Sequence, residues 1–287
     1  MSKDAEKAKR VHDSAPSDVF ANFMSEGWTE LPLTDLGVSP VAKNCVARRK
    51  LLSEAFKGLR VVLPSGEDKA RSNDAYFLYR PHSAFAYYTG VQGVEANPDA
   101  VLILEPNGDS HDPILFIMPR STRDTDAFYR DAKYGELWVG RRYTTEDATA
   151  RYQIESRSVS ELAKFLEDKK PAVTIRGVDP KIDKLIAEND KDAELLIFTS
   201  EQRLIKEQYE IDQLQLAVDA TARGFDDMIK VLPKAVAHER GERVVEGAFY
   251  GRARAEGNDL GYNTIAAAGS HACVLHWVRN DGRVKNG

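Results

Sequence analysis

The spacing of apolar positions changes twice along the chain, and the changes divide it into three stretches. Residues 1 to 16 are charged, small and aperiodic, which predicts a mobile tail. Ser17-Asp18 then caps a short helix with Phe20, Phe23 and Met24, ended by Gly27 and packed on something larger. A second helix is predicted from Pro40 to Gly58, with Val46, Leu51, Leu52, Ala55, Phe56 and Leu59 near helical spacing.

Beyond it the pattern becomes short runs between turn residues. LRVVLP (59–64), AYFLYR (75–80), DAVLILEP (99–106) and PILFIMP (113–119) read as strands, and Glu105 to Asp109 as the hairpin loop between the last two. A helix over 158–168, a strand over 172–177, a helix from Asp179-Pro180 and a strand ELLIFT (194–199) follow. This succession predicts a mixed α/β sheet of about six strands.

Near residue 200 the spacing turns helical again. Ile211, Leu214, Val218, Thr221, Phe225, Met228 and Leu232 mark a long amphipathic helix over 207–233, stopped by Pro233. A further helix runs from Glu239 to Glu256 and stops at Gly257. YNTIAAAGSHACVLHWV (262–278) reads as two β-like ends around a Gly-Ser turn. A domain boundary is expected near 198–206.

Composition narrows the function. The 287 residues give room for one large domain or two medium ones. Forty Lys and Arg against 45 Asp and Glu, a net charge of −5, leave no basic footprint for nucleic acid or a membrane surface. Cys45 and Cys273 lack ligand spacing, which predicts a reduced, cytoplasmic protein. The N-terminus has no apolar signal core, and no run of about 18 apolar residues occurs.

Local catalytic signatures are absent. His238-Glu239 has no second histidine four residues on, and Gly90-Val91-Gln92-Gly93 is a turn. The densest polar and apolar mixture holds His271, Cys273 and His276. On a strand, His271 and Cys273 would face one way and His276 the other, a poor chelating pair. His276 is then either a half-buried strand histidine or a neutral donor or acceptor projecting into a cleft. Arg141-Arg142 read as a carboxylate clamp or as an exposed ion pair. The acidic residues of 207–227 read as a solvated face, and Tyr76, Tyr79, Phe85, Tyr87 and Tyr88 as core and sheet-face aromatics.

Several segments together resemble a known family. Arg71-Ser72-Asn73-Asp74, Tyr79-Arg80, Ser83, Phe85, Tyr88-Thr89-Gly90, Pro98-Asp99-Ala100-Val101-Leu102 and Gly140-Arg141-Arg142 resemble the N-terminal domain of Xaa-Pro aminopeptidases (aminopeptidase P). Arg203-Leu204-Ile205-Lys206, EIDQLQLAVDATARGF, Tyr262-Asn263-Thr264-Ile265 and Cys273-Val274-Leu275-His276 resemble the start of its catalytic domain. The likeness covers roughly 41–287.

The resemblance implies an N-terminal extension (1–40), a creatinase-like α/β domain with a mixed sheet (41–198) and the beginning of a pita-bread α+β catalytic domain (199–287). It implies release of the N-terminal residue from peptides with proline second, by two divalent metals, usually manganese, holding a bridging hydroxide. His276 matches an active-site histidine that binds substrate or assists proton movement; His271 is left as structural or rim. The family's ligands, two aspartates, one histidine and two glutamates, all fall downstream of that match. No metal ligand is therefore expected within this chain, and the chain alone is expected to be inactive. A homo-oligomer acting on proline-containing peptides follows from the same likeness. A prolidase or creatinase-like hydrolase, and a non-catalytic oligomerisation module, are the alternatives. The apolar faces of 207–232, 239–256 and 274–278 are expected to stand uncovered, so proteolysis should cut 200–287 before 41–195.

Overall fold

Three apolar runs pair into the middle of a sheet. The structure, a computed structural model, describes residues 17–29, 37–73, 75–123, 125–257 and 259–286. The expected tail (1–16), Asp74 of the family motif and Gly287 lie outside the described residues. The chain forms two units, Met1–Arg203 and Leu204–Gly287.

In chain order the first unit holds α1 (Asp18–Ser25), α2 (Ala42–Ala55), β1 (Arg60–Pro64), β2 (Ala70–Ser72), β3 (Ala75–Tyr76) and α3 (Ser83–Thr89). Then come β4 (Val101–Asn107), β5 (Ser110–Ile117), α4 (Ala127–Arg130), α5 (Glu136–Val139), α6 (Thr145–Tyr152) and β6 (Glu155–Ser158). α7 (Leu162–Phe165), β7 (Ala172–Thr174), α8 (Pro180–Leu185) and α9 (Asp192–Glu201) complete it. Five strands make a mixed sheet in the order β6-β5-β4-β1-β7. β1/β4 and β4/β5 are antiparallel; β5/β6 and β1/β7 are parallel.

The sheet is covered on both faces, which is why its central strands read as unbroken apolar runs. Val61, Leu63, Leu102, Leu104, Leu115 and Val173 pack with Leu52 and Phe56 of α2, Phe85 and Tyr88 of α3 and Tyr152 of α6. Val62, Val101, Ile103, Ile114 and Phe116 point the other way, onto Leu162, Leu166, Ile182 and Ile186. The β4–β5 hairpin turns at Gly108-Asp109, with Asn107 opposite Ser110 and Gly108 at φ +60°. Gly90 ends α3 in the left-handed region at φ +78°.

Several sequence expectations are corrected. ELLIFT is the body of α9, with Leu195 and Thr199 buried and Ile197 exposed, because Asp192 ties the preceding turn to Thr174 N (2.9 Å) and starts a helix. A short apolar run does not distinguish helix from strand. AYFLYR yields only the two-residue β3, paired with β2 outside the main sheet. β6, polar in sequence, is a strand because Ser156 and Arg157 add in register to the exposed edge of β5. On α2 the buried face is Ala42, Cys45, Arg48, Arg49 and Leu52, while Val46 and Leu51 are exposed. Arg48 and Arg49 donate to Tyr87 O and Tyr88 O (2.8 Å each), capping the last turn of α3 where cations are favoured. α1 has its expected Ser17 cap yet buries no residue.

The second unit consists of α10 (Gln208–Ala237), α11 (Gly241–Glu256) and a 3₁₀ turn at Gly269–Cys273. α10 passes through Pro233, which the sequence reading took as its stop. The proline removes one donor, but packing on α11 holds the helix to the buried Ala235. At the crossing, a Cβ on Gly224 would meet Phe249 at 2.8 Å, and Asp227 accepts from Arg252 Nε at 2.7 Å. Residues 262–278 contain no strand, since no neighbouring strand in this unit offers a ladder among the described residues.

Two outcomes are expected. Gly90→Ala places a Cβ 2.6 Å from Val41 Cγ1 in a backbone conformation that L residues avoid, and should lower stability by about 1–3 kcal/mol, read as a shift in denaturant midpoint. Ile211, Leu214, Val218, Phe225 and Ile229 stand exposed on α10, so limited proteolysis should cleave 204–287 first; equal resistance of both units would contradict this.

Candidate functional site

The segment carrying the candidate histidines is built around one carboxylate. Glu242, in the first turn of α11, is 1% exposed. Its Oε1 accepts from Ala268 N and His271 Nδ1, both at 2.8 Å. Its Oε2 accepts from Trp277 Nε1 at 2.8 Å and Gly282 N at 2.7 Å. Glu242 N in turn donates to Gly282 O at 3.1 Å. Burial alone would push this carboxyl up; the bonds from Ala268, Trp277, His271 and Gly282 outweigh it and hold the group down at about 2.

The surrounding residues fit that arrangement. His271 stacks on Trp277 with ring centroids 3.8 Å apart, and the Arg279 guanidinium lies 5.2 Å from the indole ring. Gly282 is required: a Cβ there would fall 2.5 Å from the His271 ring. Asn280 is fully buried, accepting from Ala266 N and donating to Thr264 O, each at 2.9 Å. Its φ of +46° is one that asparagine tolerates better than most residues.

The sequence candidates are distributed unevenly over this frame. His276 lies in a turn, exposed, with its carbonyl accepting from Val278 N at 2.9 Å. It is therefore neither on a strand nor half-buried, and the alternating-face argument for His271, Cys273 and His276 does not apply. His271 is a half-buried partner of Glu242, and Cys273 is a free, exposed thiol. His238 accepts from Arg240 N at 2.9 Å as a local turn. In the first unit, Arg141 pairs with Asp147 at 3.5 Å, and Arg142 donates to Pro119 O at 2.7 Å with its guanidinium 4.9 Å from the Tyr134 ring.

Cys45 is buried in that unit, with its thiol raised by burial. Burial likewise disfavours the charged forms of Glu95 and Asp99, but bonds from Arg151 and Tyr152, and from Tyr134 and Lys133, hold both carboxyls below their usual range.

Sequence reasoning missed Glu242, Trp277 and Asn280. The Asn-Asp-Gly turn at 280–282 was the available signal; Glu242 looked like any acidic residue opening a helix. Among the described residues, no group of three or more His, Cys, Asp and Glu gathers where a metal could be held. Glu242 does not fit as a ligand, since four N–H donors occupy its two oxygens.

The mixed sheet, with helices on both faces, places the first unit among α/β domains. Residues 45–174 match the family described as aminopeptidase P, N-terminal domain. The chain is 46% identical over 277 residues to Xaa-Pro aminopeptidase 1 of Streptomyces coelicolor, covering 94% of this chain and 55% of that protein. It is 40% identical over 269 residues to Xaa-Pro aminopeptidase 2 of the same organism, covering 92% and 56%. The structure of aminopeptidase P from Escherichia coli in its low-pH form aligns with a TM-score of 0.69 at 22% identity, over 90% of this chain and 58% of that one. Proline aminopeptidase P II from Yersinia pestis gives 0.67 at 23%, over 86% and 57%. Residues 45–174 thus belong to the aminopeptidase P N-terminal domain family, and the likeness to Xaa-Pro aminopeptidases continues through both units. The chain spans about half the length of the curated relatives it matches.

Because the folded Glu242 carboxyl lies below its unfolded value, its contribution to stability is complete above the ordinary glutamate range and lost as pH falls toward about 2. Near-UV circular dichroism of the Trp277 and His271 stack should be constant at neutral pH and decay between about pH 4.5 and 2. Glu242→Ala should abolish that acid transition and cost about 1–3 kcal/mol for each buried donor left unpaired.

Proposed function

We propose that this chain supplies the N-terminal domain and the His276-bearing segment of a metal-dependent aminopeptidase, which releases the N-terminal residue from peptides with proline in second position. The observation that carries the reading is identity of 46% and 40% to two proteins named Xaa-Pro aminopeptidase, extending through both units instead of residues 45–174 alone. The domain expectation stands with it: extension 1–40, creatinase-like domain 41–198, pita-bread segment 199–287. A homo-oligomer in the cytoplasm acting on proline-containing peptides belongs to the same proposal. Among the described residues no helix is long and apolar enough to cross a membrane.

Two divalent metals, manganese by resemblance, would supply an activated hydroxide and charge stabilisation at the scissile carbonyl. The residues around Glu242 do not fit such ions, so the contribution of this chain lies elsewhere. An exposed imidazole at a turn can donate to, or accept from, a peptide near neutral pH. In this reading His276 orients the peptide or moves a proton at its ring nitrogens. The anchored residues on either side of it, His271 and Trp277, keep the turn in place.

The natural gene product that carries these residues, purified with Mn²⁺, should hydrolyse Xaa-Pro-Xaa tripeptides and spare Xaa-Ala-Xaa. His276→Ala should lower kcat/KM by about 10²–10⁴. Residues 1–287 alone should be silent, because the resemblance puts all five metal ligands beyond the His276 match. Preference for Xaa-Pro dipeptides would indicate a prolidase instead, and peptidase activity of residues 1–287 would overturn the expected inactivity.

A further inference from the structure

We propose that Glu242 is the positioning residue for His276, holding the turn that presents it by fixing the chain on both sides. The inference rests on the reading of His276 given above. Two of its four donors, Ala268 N and His271 Nδ1, precede His276; the other two, Trp277 Nε1 and Gly282 N, follow it. The exposed imidazole therefore sits within a loop whose two limbs meet on a single buried carboxylate. Asn280 closes the same loop, bonding Thr264 O and Ala266 N from the far limb.

The chemistry of the carboxylate is specific. Each oxygen faces two N–H donors, so an acceptor-only group is demanded at both positions. A glutamine of the same shape would turn its NH₂ against two donors whichever way it lay. Only the His271 side offers relief: imidazole can move its proton from Nδ1 to Nε2 and accept at Nδ1, whereas the Ala268, Gly282 and indole N–H groups cannot reverse. The ionised carboxylate thus also sets the tautomer of His271, with Nδ1 protonated.

The test is nuclear magnetic resonance of the uniformly ¹⁵N-labelled 287-residue chain, with imidazole nitrogens recorded at alkaline pH and backbone amides near neutral pH. Wild type should show the Nδ1–H tautomer at His271 and a rigid heteronuclear NOE at the His276 amide. Glu242→Gln should convert His271 to the Nε2–H tautomer and accelerate amide exchange at Ala268 and Gly282 at least tenfold. It should also lower the His276 NOE to that of a mobile loop, while the Gly224 amide at the α10–α11 crossing keeps its wild-type protection. A Glu242→Gln chain with the wild-type tautomer and a rigid His276 amide would overturn the proposal. So would the Nε2–H tautomer in the wild-type chain, a result that needs no variant to fold. These signals do not depend on hydrolysis: if His276→Ala leaves Xaa-Pro cleavage intact, the functional reading falls while the positioning role is judged by the spectra alone.

Discussion

A carboxylate removed from water must be met by donors or give up its charge. Glu242 meets that condition with four N–H groups drawn from a stretch of fifteen residues, 268 to 282. The local structure of the second unit follows from it. Gly282 has to lack a side chain because the His271 ring lies where its Cβ would be, and Gly241 because Ala235 O lies where its own would be. Without regular secondary structure to satisfy its backbone, this loop turns its inward N–H groups onto a side-chain acceptor.

The first unit obeys the same rule with the signs exchanged. Arg60, 1% exposed at the start of β1, is held by Glu105 through Nε (2.5 Å) and Nη2 (3.0 Å), and by Asp168 at 2.7 Å. Arg60 remains charged at any accessible pH, and the Asp168 carboxyl beside it is drawn down to about 2. Loss of both carboxylates would leave the Arg60 charge buried and unpaired, which costs more than the pairing itself contributes. This cluster ties the start of β1 to β4, strands whose middles are held by apolar packing.

Much of the first unit was legible because its signals are local. The hairpin at 107–110 was written in Asn-Gly between two apolar runs, and the start of α8 in Asp179-Pro180, where Asp179 caps Lys181 N at 2.8 Å. What failed was decided at a distance. β6 exists because β5 has an edge to fill, α9 is a helix because Asp192 is held by Thr174 and Arg176, and α10 survives Pro233 because α11 packs along it. The candidate site shows the same division: a motif resemblance singles out His276 as a candidate, while Glu242 is defined by four partners that only folding brings together.

The likeness to Xaa-Pro aminopeptidases is the ground on which the exposed imidazole of His276 is proposed to contact a peptide, and four bonds to the buried Glu242 carboxylate tie together the two limbs of its loop. The account stands on Glu242 remaining ionised when buried. Titration of its side-chain carboxyl carbon by ¹³C resonance measures this directly. A midpoint near 2 is expected; a midpoint in the ordinary glutamate range, about 4.3, would show that the four donors do not converge on it and would contradict the account.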